Sequence, residues 1–269
     1  MAAKRHHYVP VFLLDRFSEH PGGEGSLLWA IDKTKGGAPE RASPENVAVI
    51  SRFYEGLDEQ GRPDNAAEEA LSKIESYAAG LIRRLVEGEA LGADERESLA
   101  AFAALAHFRA PLARQWIKEM ASSYAKAQFR ARALFEPAFD EIMEKVYPDM
   151  DMEERAELRA WTLEAFDDDR IDVEFPQTFT IAMVFRLSIE LGSIFHDRMQ
   201  WTYLRAWEPP QFIISDTPVA MYDPTGAPSA PLSSFKAETT LPLDPTLCLV
   251  LRRSSRRRWG QDRRAGPRR

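Results

Sequence analysis

Two adjacent histidines, His6 and His7, stand in the motif HHYVP near the start of the chain. Imidazole serves near neutral pH as general acid, general base or metal ligand. In an extended segment consecutive side chains point to opposite sides, so one ring can face a core while the other faces a cleft. The plainer alternative is a histidine that caps a helix or bonds a backbone carbonyl. Asp216, in IISDTPV, follows an apolar strand and precedes Pro218. A carboxylate there can take a proton, bind a metal or hold a histidine in one tautomer. It can equally close an Asx-turn ahead of the proline.

Glu68, Glu69 and Glu75 fall on one predicted helix. Glu68 and Glu75 are seven residues apart and share a face, whereas Glu69 lies about 100° around the axis. A glutamate turned inward beside a histidine would make an acid–base or metal cluster. A solvated face, with Glu69 and Lys73 at i,i+4 spacing, is the alternative. Arg109, just before Pro111, suits an anion such as phosphate, or a structural ion pair with Asp216 or a glutamate. His6, His7, Asp216 and Glu69 form the candidate catalytic set, with Arg109 and Tyr8 as candidate substrate contacts. A divalent metal is a candidate cofactor. The chain contains no H-E-x-x-H, Walker loop, G-x-G-x-x-G, paired C-x-x-C or G-x-S-x-G, so no established catalytic motif selects a reaction.

The elements that must position these residues are legible in outline. Pro10 fits the first turn of a short helix over 10–19, which carries Phe12, Leu13, Leu14 and Phe17 inward. SLLWAID reads as a strand, Ser43-Pro44 opens a short helix, and Arg52 to Tyr54 reads as a second strand. Long helices follow. The first presents Ala70, Ile74, Tyr77, Leu81 and Leu85 on one face. The next is alanine-rich, capped by Asp94 and broken at Pro111. The most apolar helix spans 175–199. The last third changes to period two, with a hairpin expected between 201–207 and 211–215 and two closing strands, TTLPLDP and LCLVLRR. The fold class is therefore α+β: a mostly helical bundle of about six helices with a small, mostly antiparallel sheet formed from N-terminal and C-terminal segments.

At 269 residues, 44% of them hydrophobic and 29% charged, the chain has the makeup of a soluble globular protein. A single cysteine, Cys248, excludes an internal disulfide framework and a cysteine-rich zinc site. The N-terminus has no signal-peptide apolar run, and no uninterrupted apolar stretch of membrane-spanning length is apparent. These features give the expectation of a cytoplasmic protein without membrane association. The net charge of −7 conceals two unlike parts. From Arg252 onward nine arginines face one acid, Asp262, a charge of +8, so residues 1–251 carry −15. A single domain is expected over 1–251 and a disordered arginine-rich tail over 252–269. Two readings of that tail stand side by side. It is a basic arm that neutralises phosphates of nucleic acid, or it is an out-of-frame ending of a GC-rich gene. The acidic remainder argues against nucleic-acid affinity outside the tail.

HHYVPVFLLDRF, RFYE, AEEALSKIE, FRAP, FIISDTPV and LPLDPTLCL occur in this order between Arg5 and Leu251. Together they resemble the domain of unknown function 4238 family, whose usual forms are near HHYVPQFYL, F-x-x-SDNPV and FPLSP. The chain departs from those forms at Val11, where glutamine is usual, and at Thr217, where asparagine is usual. The resemblance supports the fold and the choice of site without supplying a reaction. From the residue types, a hydrolase acting on a phosphoester or nucleic-acid substrate is one expectation. A binding or regulatory module with a structural His/Asp/Arg cluster is the other, and a part in a toxin or phage-defence system is a third.

Overall fold

The computed structural model describes residues 5–57, 60, 62–209, 211–225, 234 and 236–253. Within the stretch read as one domain it forms two compact units. One comprises the residues up to Ala110 together with those from Val184 onward, and the other is Pro111–Met183.

The first unit opens with strand β1 (Arg5–His7) and a one-turn helix α1 (Val11–Asp15), shorter than the expected 10–19. Short strands follow: β2 (Leu28–Ala30), β3 (Glu40–Ala42), β4 (Val49–Ser51), β5 (Gly56–Leu57) and β6 (Pro63–Asp64). Between β3 and β4, Pro44–Asn46 is a 3-10 turn whose Ser43 side chain accepts from the Glu45 N–H, as a Ser-Pro start dictates. β1 pairs antiparallel with β4, His6 opposite Ile50 and His7 opposite Val49. The strand expected at Arg52 to Tyr54 lies instead at β4. Arg52 has a positive φ of 55°, which turns the chain away from an extended path.

Helix α2 (Ala66–Val86) buries Leu71, Ala78, Leu81, Ile82 and Leu85. Its inward face is rotated from the expected one, and Tyr77 is 53% exposed. The spacing 71–75–78–82 puts Glu75 inside the buried stripe and Glu68 at its edge. Helix α3 (Ala93–Phe108) is buried nearly all round from Leu99 to Ala106. Its N-cap is Gly92 rather than Asp94, because the Glu95 carboxylate reaches back to accept the Gly92 N–H at 2.9 Å.

Helices α4 (Pro111–Leu134), α5 (Glu136–Val146) and α6 (Met152–Asp167) make up the second unit with the start of α7 (Gln177–Asp197). Asp151 caps α6 by accepting from the Glu153 and Glu154 N–H groups, each at 2.9 Å. Arg159 bridges Glu136 and the Ala133 carbonyl, tying α6 to the α4–α5 corner. By length and composition alone α7 is apolar enough to cross a membrane. In the first unit, however, its Leu191 and Phe195 belong to the core, and Gly192 lies against α3, where an added Cβ would meet Ala101 Cα at 3.1 Å.

The remainder of the first unit is one four-stranded antiparallel sheet in the order β7 (Met199–Arg205), β10 (Leu247–Arg253), β9 (Glu238–Asp244), β8 (Ala220–Tyr222). The expected hairpin of 201–207 with 211–215 is not formed. β7 pairs along its length with β10, and the 211–215 segment contributes a single bond from the Phe212 N–H to the Pro245 carbonyl. Strands thus come from both chain ends, as separate ladders rather than a shared sheet. One core unites them: Val9 and Leu13 from the N-terminal segment, Ile82 and Phe102 from the helices, Leu243 and Leu249 from the sheet. Arg252 and Arg253, the first two residues assigned to the expected tail, belong to β10, and Arg252 pairs with Glu238 at 2.7 Å. The rest of the expected tail, 254–269, lies outside the described residues.

A buried arginine clasp beneath the HHYVP motif

Strand alternation separates the two histidines as expected. His6 is fully buried and His7 half-buried. His6 Nδ1 accepts the Tyr54 backbone N–H at 2.7 Å, and the two rings stack with centroids 5.6 Å apart. An accepting Nδ1 puts the proton of the neutral imidazole on Nε2. That Nε2 is buried and has no partner among the described residues. His7 turns the other way, and its Nε2 lies 3.0 Å from the Glu45 carbonyl.

Arg109 directly follows the last residue of α3, where a cation is favoured by the helix dipole. It is 2% exposed, and its three guanidinium nitrogens are all engaged. Nε donates to the Tyr54 hydroxyl at 3.2 Å, Nη1 donates to the Glu75 carboxylate, and Nη2 donates to the His7 backbone carbonyl. Burial opposes the charge on Arg109, but Tyr54 and Glu75 more than offset it and move its pKa up. Of the ion-pair partners weighed for Arg109, the one at hand is a glutamate, Glu75. Glu69 stands on the exposed side of α2.

Asp216 is exposed near the start of the SDTPV turn. The turn's side-chain bond is made by Ser215, whose hydroxyl accepts the Thr217 N–H at 3.2 Å. Asp216 acts on Tyr8 through its charge: burial raises the half-buried phenol's pKa, and the Asp216 carboxylate raises it further. Tyr8 is held by its own N–H to the Ala48 carbonyl at 2.9 Å and by an edge contact with Phe53. The expected set is therefore brought together only in part. His6, His7 and Arg109 share one network, Tyr8 and Asp216 adjoin it, and Glu69 stands apart.

A cleft of about 340 Å³ opens beside the clasp, with His7, Glu68, Ser72, Glu75 and Arg109 in its lining. One buried Glu68 oxygen, Oε2, has no partner among the described residues. Among the described residues, no group of three or more His, Cys, Asp or Glu side chains is arranged to hold a metal ion. Tyr54 was not among the candidates, and Glu75 was weighed with Glu68 and Glu69 but not chosen. The signal for Glu75 is its place in the apolar stripe between Leu71 and Ala78, where an acid needs a buried partner. Tyr54 carries no comparable local signal.

A family model described as "protein of unknown function (DUF4238)" matches residues 5–267. The chain belongs to the DUF4238 family. The match takes in the HHYVP motif, both units and most of the arginine-rich segment. No curated protein and no solved structure matches this DUF4238 chain.

Proposed function

We propose that this protein is a non-enzymatic binding or regulatory module in which the His6–Tyr54–Arg109–Glu75 network is a structural clasp. The observation that carries this is the commitment of all three Arg109 nitrogens to protein acceptors, beneath a histidine that is itself buried. Three of the five Arg109 N–H groups are spent on protein acceptors and the charge is paired with Glu75, which leaves Arg109 a poor anchor for an anionic substrate. Asp216 is exposed, and among the described residues the two imidazoles bond the Tyr54 N–H and the Glu45 carbonyl instead of its carboxylate.

A second reading rests on the cleft. His7, Glu68 and Glu75 line one hollow, so a glutamate could take a proton from water while His7 donates one to a leaving oxygen. That is the acid–base set of a hydrolase. A phosphoester would meet two carboxylates there and one cation already neutralised by Glu75, so this chemistry calls for a divalent cation.

One experiment separates the two. The full chain is assayed against chromogenic phosphomonoesters and phosphodiesters and against single-stranded DNA and RNA, with and without magnesium, manganese or zinc, beside His7→Gln and Glu68→Gln. The module predicts no turnover above a blank under any condition. Turnover lost in both variants at unchanged melting temperature establishes the hydrolase and overturns the module.

A further inference from the structure

A second cleft, of about 580 Å³, lies where the C-terminal end of α2, the first turn of α3 and strand β7 meet. Its lining includes Arg96, Gln200, Trp201, Tyr203 and Arg205. Its volume falls in the range usual for small-molecule sites.

Its charges are unevenly matched. The neighbouring acids Glu89 and Glu95 both pair with Arg84, and Glu95 also accepts the Gly92 N–H. Arg96 and Arg205 are left with no carboxylate partner among the described residues. Arg205 donates to the Leu85 and Val86 carbonyls at 2.9 and 3.1 Å, which fixes its position without neutralising it. The Arg96 guanidinium lies 5.0 Å above the Trp201 ring, and its buried Nε has no partner. Trp201 is itself anchored, donating to the Phe195 carbonyl at 2.9 Å. Arg96 also sits in the first turn of α3, where the helix dipole makes a cation unwelcome unless an anion offsets it. Burial raises the pKa of the Tyr203 phenol, and the charge of Arg96 partly opposes that rise.

We infer that this cleft binds a nucleoside monophosphate, with the phosphate between Arg96 and Arg205 and the base against the Trp201–Tyr203 surface. Planar guanidinium groups match phosphate oxygens in pairs, and aromatic faces accept a base without regard to its sequence identity. Two arginines without a carboxylate partner among the described residues make this cleft locally attractive to an anion. The site is separate from the Arg109 clasp and stands whichever reading of that clasp holds.

The test is calorimetric titration of the full chain with AMP, GMP, CMP and UMP, and with adenosine and inorganic phosphate. Saturable binding of at least one nucleotide is expected, about tenfold or more tighter than adenosine or phosphate. Arg96→Gln weakens it about tenfold or more at an unchanged melting temperature. The arginine-rich segment is present in both proteins, so its own attraction for phosphate cancels in the comparison. Tyr203→Leu keeps phosphate binding but loses the preference for the nucleotide, an independent reading should Arg96→Gln fold poorly. Absence of saturable binding by all four nucleotides overturns the inference. So does equal affinity for phosphate and nucleotide, or undiminished affinity in a folded Arg96→Gln protein.

Discussion

Arg109 reaches His7 through the backbone and not through the imidazole: its Nη2 donates to the His7 carbonyl. The end of α3 thus holds the β1 strand from behind, and the His7 ring is left free to turn toward Glu45 and the cleft. Conserving the charge at position 109 without its forked shape would not reproduce this, because a lysine cannot serve three acceptors set at fixed angles.

Removing the clasp should be costly. Arg109→Ala leaves the Glu75 carboxylate and the His7 carbonyl without their donor and is expected to lower unfolding free energy by about 3–5 kcal/mol. Glu75→Gln alone removes the counter-charge while keeping an acceptor, and should cost less. The double variant should lose less than the sum of the two, since each single change strands the other's partner. Urea denaturation followed by circular dichroism reads all three values.

Stability should fall with acid through His107. Burial depresses its pKa below the ordinary histidine value, and a hydrogen bond to the Val219 backbone opposes this only in part. The folded state therefore keeps the neutral ring, and the unfolded state takes up the proton first as pH falls. Its contribution is fully present above the unfolded pKa of about 6.5 and is lost as pH falls from there toward the depressed folded value, at no more than about 1.4 kcal/mol per pH unit. Other groups titrate in the same window, so the informative quantity is the difference between wild type and His107→Gln. The wild type should show the steeper decline.

Cys248 should be inert in the native protein. It lies in the middle of the sheet at 3% exposure, and burial pushes its thiol up to about 11. Only the thiolate reacts with disulfide reagents or iodoacetamide. Labelling at neutral pH should follow global unfolding and show no faster phase, as measured by mass spectrometry across a urea series.

Gly192 should tolerate almost nothing larger. Its added Cβ would stand 3.1 Å from Ala101 Cα, closer than main chain normally allows. Gly192→Val should destabilise by about 1–3 kcal/mol through overpacking. Gly192→Ala, which also gains helix propensity, should fall between that and wild type. Thermal melts of the three proteins give the order directly.

How much of this was legible in the sequence depends on how local each determinant is. The α3–α4 break at Pro111, the Ser43-Pro44 start and the closing strands announce themselves through nearby residues, and the structure keeps them. The partner of β7 does not. Residues 211–215 alternate well enough for a strand, but the ladder goes to β10, some forty residues on, where the continuous apolar run Leu247 to Leu251 is buried throughout while Ile213 is left 83% exposed. At the site the same division holds. The alternation of His6 and His7 follows from strand geometry, whereas the choice of Glu75 over Glu69 turns on the rotation of α2, which one misjudged apolar stripe is enough to shift.

The first unit is assembled from two stretches of chain separated by Pro111–Met183. This has a temporal consequence during synthesis. Leu99 to Ala106 of α3 emerge before Leu191, Phe195 and the β9–β10 strands that complete their surroundings. At roughly 5–20 residues per second, the interval between Ala110 and Val184 alone is on the order of ten seconds. Throughout it the most apolar helix of the N-terminal half lacks part of its cover. A growing chain of this protein is thus a natural client for whatever shields nascent polypeptides, until its last two strands close over the core.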